Sequence, residues 1–373
     1  AKYYNRALRL FPTNGNPHNQ LAVLATYVND DFNAMYHYFR SMASANPFPT
    51  SKENLLVLFE KNKAQAENLQ EALSPLLSGR RRTSESRVLR DSFLVFFIRI
   101  HGILFSKASV EKMSQYKTLA LKGFEELLQQ RKQQDPLSGI SDPLLLKVFV
   151  INIYAVWACL AECDFQPGDS YAEKMKKSVM LRHTGKIAVE FFGRTIRACL
   201  GFKAPDFPFL GPLSIFTDWF GENVSSLVPV SSQDKGPWHQ MWKVFISLVN
   251  KLIEVDNGLL ALQKEKLTER TGADVLLEEM ELRGFVPFNS IHAKLNFSGI
   301  PLFDFSPFEI VENPEKSRSI RIQKIVHFSF RVANGGGSSP LHFNEEKSRF
   351  ADRPLTKTEK KSDHKTPKKS TPV

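Results

Sequence analysis

Ten residues near the start return, altered, 34 positions later. Residues 3–12 read YYNRALRLFP and residues 36–47 read YHYFRSMASANP. Tyr4, Arg6 and Ala7 recur as Tyr38, Arg40 and Ser41, and a proline closes each segment. Between the copies lies PTNGNPHNQLAVLATYVNDD. There a turn cluster at Pro12, Asn14, Gly15, Asn16 and Pro17 leads into a short apolar run, which ends at Asn29, Asp30 and Asp31. Leu21, Leu24, Ala25 and Val28 fall at helical spacing.

A 34-residue period of paired helices is the tetratricopeptide pattern, so the chain opens as a helical solenoid. Ala7 and Ser41 are the small residues at which helices of a repeat pack closely. The first segment supplies only the second helix of its repeat, so the sequence reads as starting inside the array. Tyr4, Leu8 and Val23 are expected to show apolar faces at that end.

Beyond Pro49 a helix is expected from an N-cap at Thr50 or Ser51. Amphipathic helices follow at about 87–106, 109–133, 142–163, 172–202 and 236–265. Less regular segments rich in Pro and Phe occupy 203–213 and 283–310. Strand-like alternation is not evident. The fold class is therefore all-α: tetratricopeptide helical repeats, then an antiparallel helical-hairpin stack. The expected divisions are 1–70, 71–334 and a disordered basic tail at 335–373, beginning with NGGGSSP.

The net charge is +11, with a pI near 9.4. Nine Lys/Arg and three Asp/Glu between Lys347 and Lys369 supply +6 of it. A basic tail points to weak anion attraction more than to a defined nucleic-acid face. The three cysteines, Cys159, Cys163 and Cys199, lack disulfide or metal spacing and read as buried thiols. The apolar stretch 144–165 contains Lys147, Asn152, Glu162 and Asp164, which suits a core helix better than a membrane span. No signal peptide is evident.

No catalytic pattern stands out: there is no Walker or Rossmann glycine loop, HExxH, CxxC or GxSxG. The chain is expected not to be an enzyme and to need no cofactor or metal. The adjacent pairs Glu125/Glu126 and Glu278/Glu279 read as solvated charges, and His101 as a packing histidine. Arg80, Arg81 and Arg82, before Thr83 and Ser84, read as an exposed loop that could also meet phosphate. Tyr36, Tyr38, Phe39 and Arg40 fit either repeat packing or a concave peptide-binding surface.

Several phrases in order resemble one family. They are YYNRALRLFPTNGNPHNQLAVLA, YHYFRSMASANPFPTSKENLLVLFEK, FFIRIHGILFSKASVEKM, LSIFTDWF, ELRGFVPFNSIHAKLNFS and SRSIRIQKI. The NGxPxNQLA and ELRGF phrases are the specific ones. Together they resemble the nonsense-mediated mRNA decay adaptors with a 14-3-3-like domain, a family that also holds the telomerase-associated Est-one-like proteins. The SMG-seven-like branch is favoured, and the likeness covers about residues 1–334.

The resemblance implies a non-catalytic adaptor that binds a phosphorylated RNA helicase of the up-frameshift type and recruits mRNA decay factors. In the telomerase branch it implies contact with telomerase RNA and single-stranded telomeric DNA. It implies cytoplasmic decay foci, with a nuclear pool also expected, and no membrane. The family's phosphate-gripping Lys and Arg lie on helices upstream of NGxPxNQLA, so none is assigned here. His18 stands where the family usually has Tyr. Asn19 and Gln20 are candidate peptide-backbone contacts, with Arg40 as a candidate phosphopeptide contact. Packing roles for Asn19 and Gln20 remain open. No nuclease domain is present in the sequence, so endonuclease activity is not expected.

Overall fold

A computed structural model describes residues 1–352, except 78–81, 132–138, 164–165, 167–168, 170, 204–205, 228–235, 264–269, 272–274, 298–312 and 336–338. The solenoid part comprises α1 (Lys2–Leu10), α2 (Asn16–Tyr27), α3 (Asp31–Met42) and the long α4 (Ser51–Leu77). The α2–α3 hairpin is set locally. Pro17 sits in the first turn of α2. The Asp30 carboxylate accepts from Asn33 N at 3.1 Å and so caps α3.

Next come α5 (Arg82–Ser106), α6 (Met113–Gln130), α7 (Asp142–Glu162), α8 (Tyr171–Lys177) and α9 (Val179–Cys199). They are followed by α10 (Leu210–Leu227) and α11 (Pro237–Val255), the short α12 (Leu277–Glu281) and α13 (Asn289–His292), and α14 (Pro314–Ala333). Ser141, Ser178 and Asn313 side chains cap α7, α9 and α14 by accepting from Leu144, Leu181 and Lys316 amides. Helices α5 and α6 form an antiparallel pair, with Phe93 against Phe124 and Phe96 against Tyr116.

Helix α7 is long and apolar enough to cross a membrane by composition. In the fold it lies at the centre, with Leu145, Val148, Phe149, Ile151 and Ile153 fully buried. Phe149 meets Phe192 of α9 and Phe216 of α10. On its solenoid side, Tyr154 stacks on Phe39 of α3 with ring centroids 4.2 Å apart. One hydrophobic cluster runs from Ala22 to Phe350. The sequence boundary at residue 70 falls inside α4, whose Leu55, Phe59, Ala66 and Leu73 are all buried.

Four expectations change. First, residues 210–213, read as irregular, begin α10, and SRSIRIQKI lies within α14. Second, the chain does not become structureless at 335. Strands β3 (Leu341–Asn344) and β4 (Arg349–Asp352) form an antiparallel hairpin. Phe330, Phe343 and Phe350 meet as a ring cluster beneath it. The Asn250 amide on α11 both accepts from Phe350 N at 2.8 Å and donates to Phe350 O at 2.9 Å. The charged residues around these apolar positions hid the alternation. The basic segment from 353 onward lies outside the described residues. Third, a short parallel pair joins β1 (Arg270–Thr271) to β2 (Leu295–Asn296). Fourth, Tyr4, Leu8 and Val23 are half-buried, and the exposed apolar side chains at that end are Tyr3, Leu10, Phe11, Leu24, Tyr27 and Val28.

Candidate functional site

The turn NGNPHNQ is held by α3 and by the start of α4. Gly15 N donates to Asn46 O at 2.9 Å, and Asn46 N to Thr13 O at 3.0 Å. A Cβ on Gly15 would lie 2.7 Å from Ser41 O, so no side chain fits there. The Ser41 hydroxyl donates to Gly15 O at 2.8 Å and lies 2.8 Å from Ser51 Oγ. Ser51 in turn donates to Asn19 Oδ1 at 3.1 Å. The small residue of the repeat thus ties three helices together. Asn19 is 3% exposed and its carbonyl serves this joint. Gln20 is half-buried, and its amide donates to Asn16 Oδ1 at 3.4 Å.

Arg40 is 2% exposed. Its Nη1 donates to Tyr36 Oη at 2.9 Å and to Glu281 O at 2.8 Å, and its Nη2 to Arg283 O at 3.1 Å. The guanidinium also faces the Phe285 ring at 5.3 Å. Tyr36 donates to Glu281 Oε1 at 3.0 Å. Burial, reinforced by Glu281, pushes the Tyr36 hydroxyl pKa up, so it stays a phenol. Val286 N donates to Ala43 O at 2.8 Å, which finishes the docking of the ELRGF segment on α3. Gly284 has φ +75°, and a Cβ there would stand 1.8 Å from Pro12 O. ELRGF is therefore a strap that closes on the solenoid's turn.

Asn19 and Arg40 accordingly have packing roles, and a peptide could reach Arg40 only by displacing residues 281–286. Tyr36, Tyr38 and Phe39 are buried with it. Of the three candidate contacts, only Gln20 meets solvent. Beside the clamp, Lys147 of α7 donates to Asn33 Oδ1 at 2.6 Å and lies over the Tyr36 ring at 5.2 Å. The Nδ1 atoms of His18 and His37 lie 3.0 Å apart, within hydrogen-bond distance. Burial lowers both pKa values, His37 to about 3.

The same strap region carries a correction. Glu278 and Glu279 are not solvated: they are 7% and 1% exposed. Glu278 accepts from Arg321 Nε at 2.7 Å and Nη2 at 2.8 Å. Lys324 stands 2.7 Å from both Glu279 and Asp218. Glu279 also accepts from Leu276 N. Both cations come from α14, and Asp218 comes from the TDW of α10. Glu125 is half-buried and bridges to Arg194 at 2.7 Å.

His101 is buried against Phe97 and Phe39, its pKa lowered to about 3 by burial. Cys159 and Cys199 are buried and Cys163 is partly so. Burial raises the Cys199 pKa to about 12, which keeps it an inert thiol. Among the described residues no group of three His, Cys, Asp or Glu is placed to hold a metal. Arg80 and Arg81 lie outside the described residues. The side chains of Asn19, Ser41, Arg40, Glu278 and Glu279 thus serve as joints between helices.

A solenoid start strapped onto a helical-hairpin stack defines an all-α scaffold. The chain belongs to the Est1 DNA/RNA binding domain family, whose profile matches residues 1–292. It is 27% identical over 368 residues to the nonsense-mediated mRNA decay factor SMG7 of Arabidopsis thaliana, spanning 87% of this chain and 34% of that protein. It is 25% identical over 245 residues to the telomerase-binding protein EST1A of Danio rerio, spanning 53% of this chain and 15% of that one. The chain thus spans about a third or less of these relatives. A solved structure described as that of Est1 and Cdc13 shares the fold, with a TM-score of 0.62, 15% identity, and 95% of this chain against 65% of that one covered.

Proposed function

We propose that the chain is the helical core of a non-catalytic adaptor in nonsense-mediated mRNA decay. In this reading it binds a phosphorylated RNA helicase of the up-frameshift type and recruits mRNA decay factors. The supporting observation is the alignment with the plant decay factor over 87% of the chain. The fold suits the task, because its polar chemistry is spent on internal joints and its helices present rigid outer faces. Gln20 stays the one accessible candidate for a peptide contact. The proposed residence is the cytoplasm, in decay foci, with a nuclear pool.

A second reading makes the chain a telomerase-associated subunit that contacts telomerase RNA and single-stranded telomeric DNA. It draws on the family's DNA/RNA-binding description and on the zebrafish relative. A pull-down with the full-length natural protein from extract, with and without phosphatase, separates the two. Recovery of the helicase that phosphatase abolishes supports the decay adaptor. Recovery of telomerase RNA regardless of phosphatase supports the second reading. Recovery of neither contradicts both.

A further inference from the structure

Helix α9 carries Arg182, Lys186 and Arg197, four and then eleven residues apart. Those intervals are close to one and three turns, so the three cations line one edge of the helix. Lys186 and Arg197 lie about 16 Å apart along the axis at 1.5 Å per residue. The same edge faces α11. Gly185 meets the Trp238 ring and Gly193 meets Met241. Lys251 donates to Leu200 O at 3.3 Å, so the two helices run parallel. Lys243 and Lys251 on α11 are exposed as well.

His183 sits among these cations on α9. Burial and the charges of Arg182, Lys117 and Lys186 all lower its pKa, which puts cations of α6 and α9 around one ring. Lys176 and Lys177 of α8 are exposed just before α9. From Lys174 to Lys186 the sequence has no Asp or Glu. The carboxylates nearby are engaged: Glu190 with Lys117 at 3.0 Å and Asp169 with Lys177 at 2.6 Å. Glu254 pairs with Arg349. Lys186, Arg197 and Lys243 have no carboxylate partner among the described residues. The cations of α14 contrast with these, because Arg318, Arg321, Lys324 and Arg331 all face acids.

We propose that the outer face of α9 and α11, centred on Arg182, Lys186, Arg197, Lys243 and Lys251, grips the phosphate backbone of RNA without reading its bases. The proposal rests on the nucleic-acid side of the functional reading, since this face lies within the family match. The absence of base readout comes from the rings. Phe191, Phe192, Trp238, Trp242 and Phe245 of these two helices are all buried. No aromatic platform for base stacking stands on their exposed positions, so phosphate charge is the recognisable feature.

The test measures binding of labelled oligouridylate and oligoadenylate to the full-length protein across a salt series. One variant combines Arg182→Gln, Lys186→Gln and Arg197→Gln. A control removes equal charge from α4 with Lys52→Gln, Lys61→Gln and Lys63→Gln. Circular dichroism verifies that both fold. The expected result is similar affinity for the two RNAs and a tenfold or greater loss in the α9 variant. Its log–log salt slope should flatten by roughly 2, at about 0.7 per single-strand phosphate contact.

Equal losses in both variants, or none in the α9 variant while the wild type binds, would overturn this surface and leave nucleic-acid binding intact. A wild type that binds neither RNA at low salt would overturn the nucleic-acid reading with it. Competition by polyglutamate as strong as that by RNA would assign the face to an acidic protein instead.

Discussion

The Arg40 guanidinium donates at 2.8 Å to the backbone carbonyl of Glu281, a residue 241 positions further along the chain. One side chain of the second repeat copy thereby fastens the solenoid to the far end of the helical core. Its position in the repeat, matching Arg6, is legible in the sequence; its partner is not.

Removing that fork should loosen both parts together. Arg40→Met leaves Tyr36 Oη and the Glu281 and Arg283 carbonyls without this donor in a dry site. The expected loss is about 3 kcal/mol in urea unfolding. Arg40→Lys should recover less than half of it, because an ammonium cannot reach Glu281 O and Arg283 O in the same plane. A lysine variant as stable as the wild type would contradict the clamp.

Gly284 gives a steric counterpart. Gly284→Ala asks for a left-handed residue and a Cβ inside the van der Waals radius of Pro12 O. We expect a loss of about 2 kcal/mol or more. Proteolysis should also speed up at the 11–16 turn, which the strap covers. Unchanged cleavage there would separate the strap from the turn.

The buried charges between α12 and α14 should respond unequally. Lys324→Met removes the cation from buried Glu279 and partly buried Asp218, whereas Glu279→Gln leaves Lys324 with Asp218. The lysine variant should lose about 3–5 kcal/mol and the glutamine variant clearly less. Chemical denaturation of the two side by side decides the order, and equal losses would show that Asp218 adds nothing.

These acids also show where sequence reading reaches its limit. The helices were legible because apolar spacing is local: 142–163 was expected for α7, which spans Asp142–Glu162. The burial of Glu278 and Glu279 was hidden because their partners, Arg321 and Lys324, lie 43 and 45 residues away. Pattern within a window carries no information about such pairs. The β3–β4 hairpin was missed for a different reason, because Leu341, Phe343 and Phe350 sit within a charged segment that composition alone assigns to disorder. Asn19 and Arg40 looked like ligand contacts because polar residues on a solenoid can face either way. Only the strap, arriving from residue 281 onward, decides which.

Acid should weaken the fold through His101. Its folded pKa, near 3, lies below the ordinary 6.5. The stability that comes from keeping it neutral is fully present above about pH 6.5 and is lost as pH falls toward 3. At about pH 5 this amounts to about 2 kcal/mol, at 1.36 kcal/mol per unit. His101→Leu should flatten the dependence of unfolding free energy on pH between about 6.5 and 5. An unchanged slope would place the acid sensitivity elsewhere.

The central claim is that this helical core serves an adaptor that brings decay enzymes to an mRNA. Tethering the full-length natural protein to a reporter mRNA, and following the reporter's half-life after transcription is stopped, tests it most directly. The account predicts a half-life several-fold shorter than with the tether alone, and a return toward that baseline when Arg40→Met unlatches the strap. A tethered protein that is expressed and folded yet leaves the half-life unchanged would contradict the decay reading.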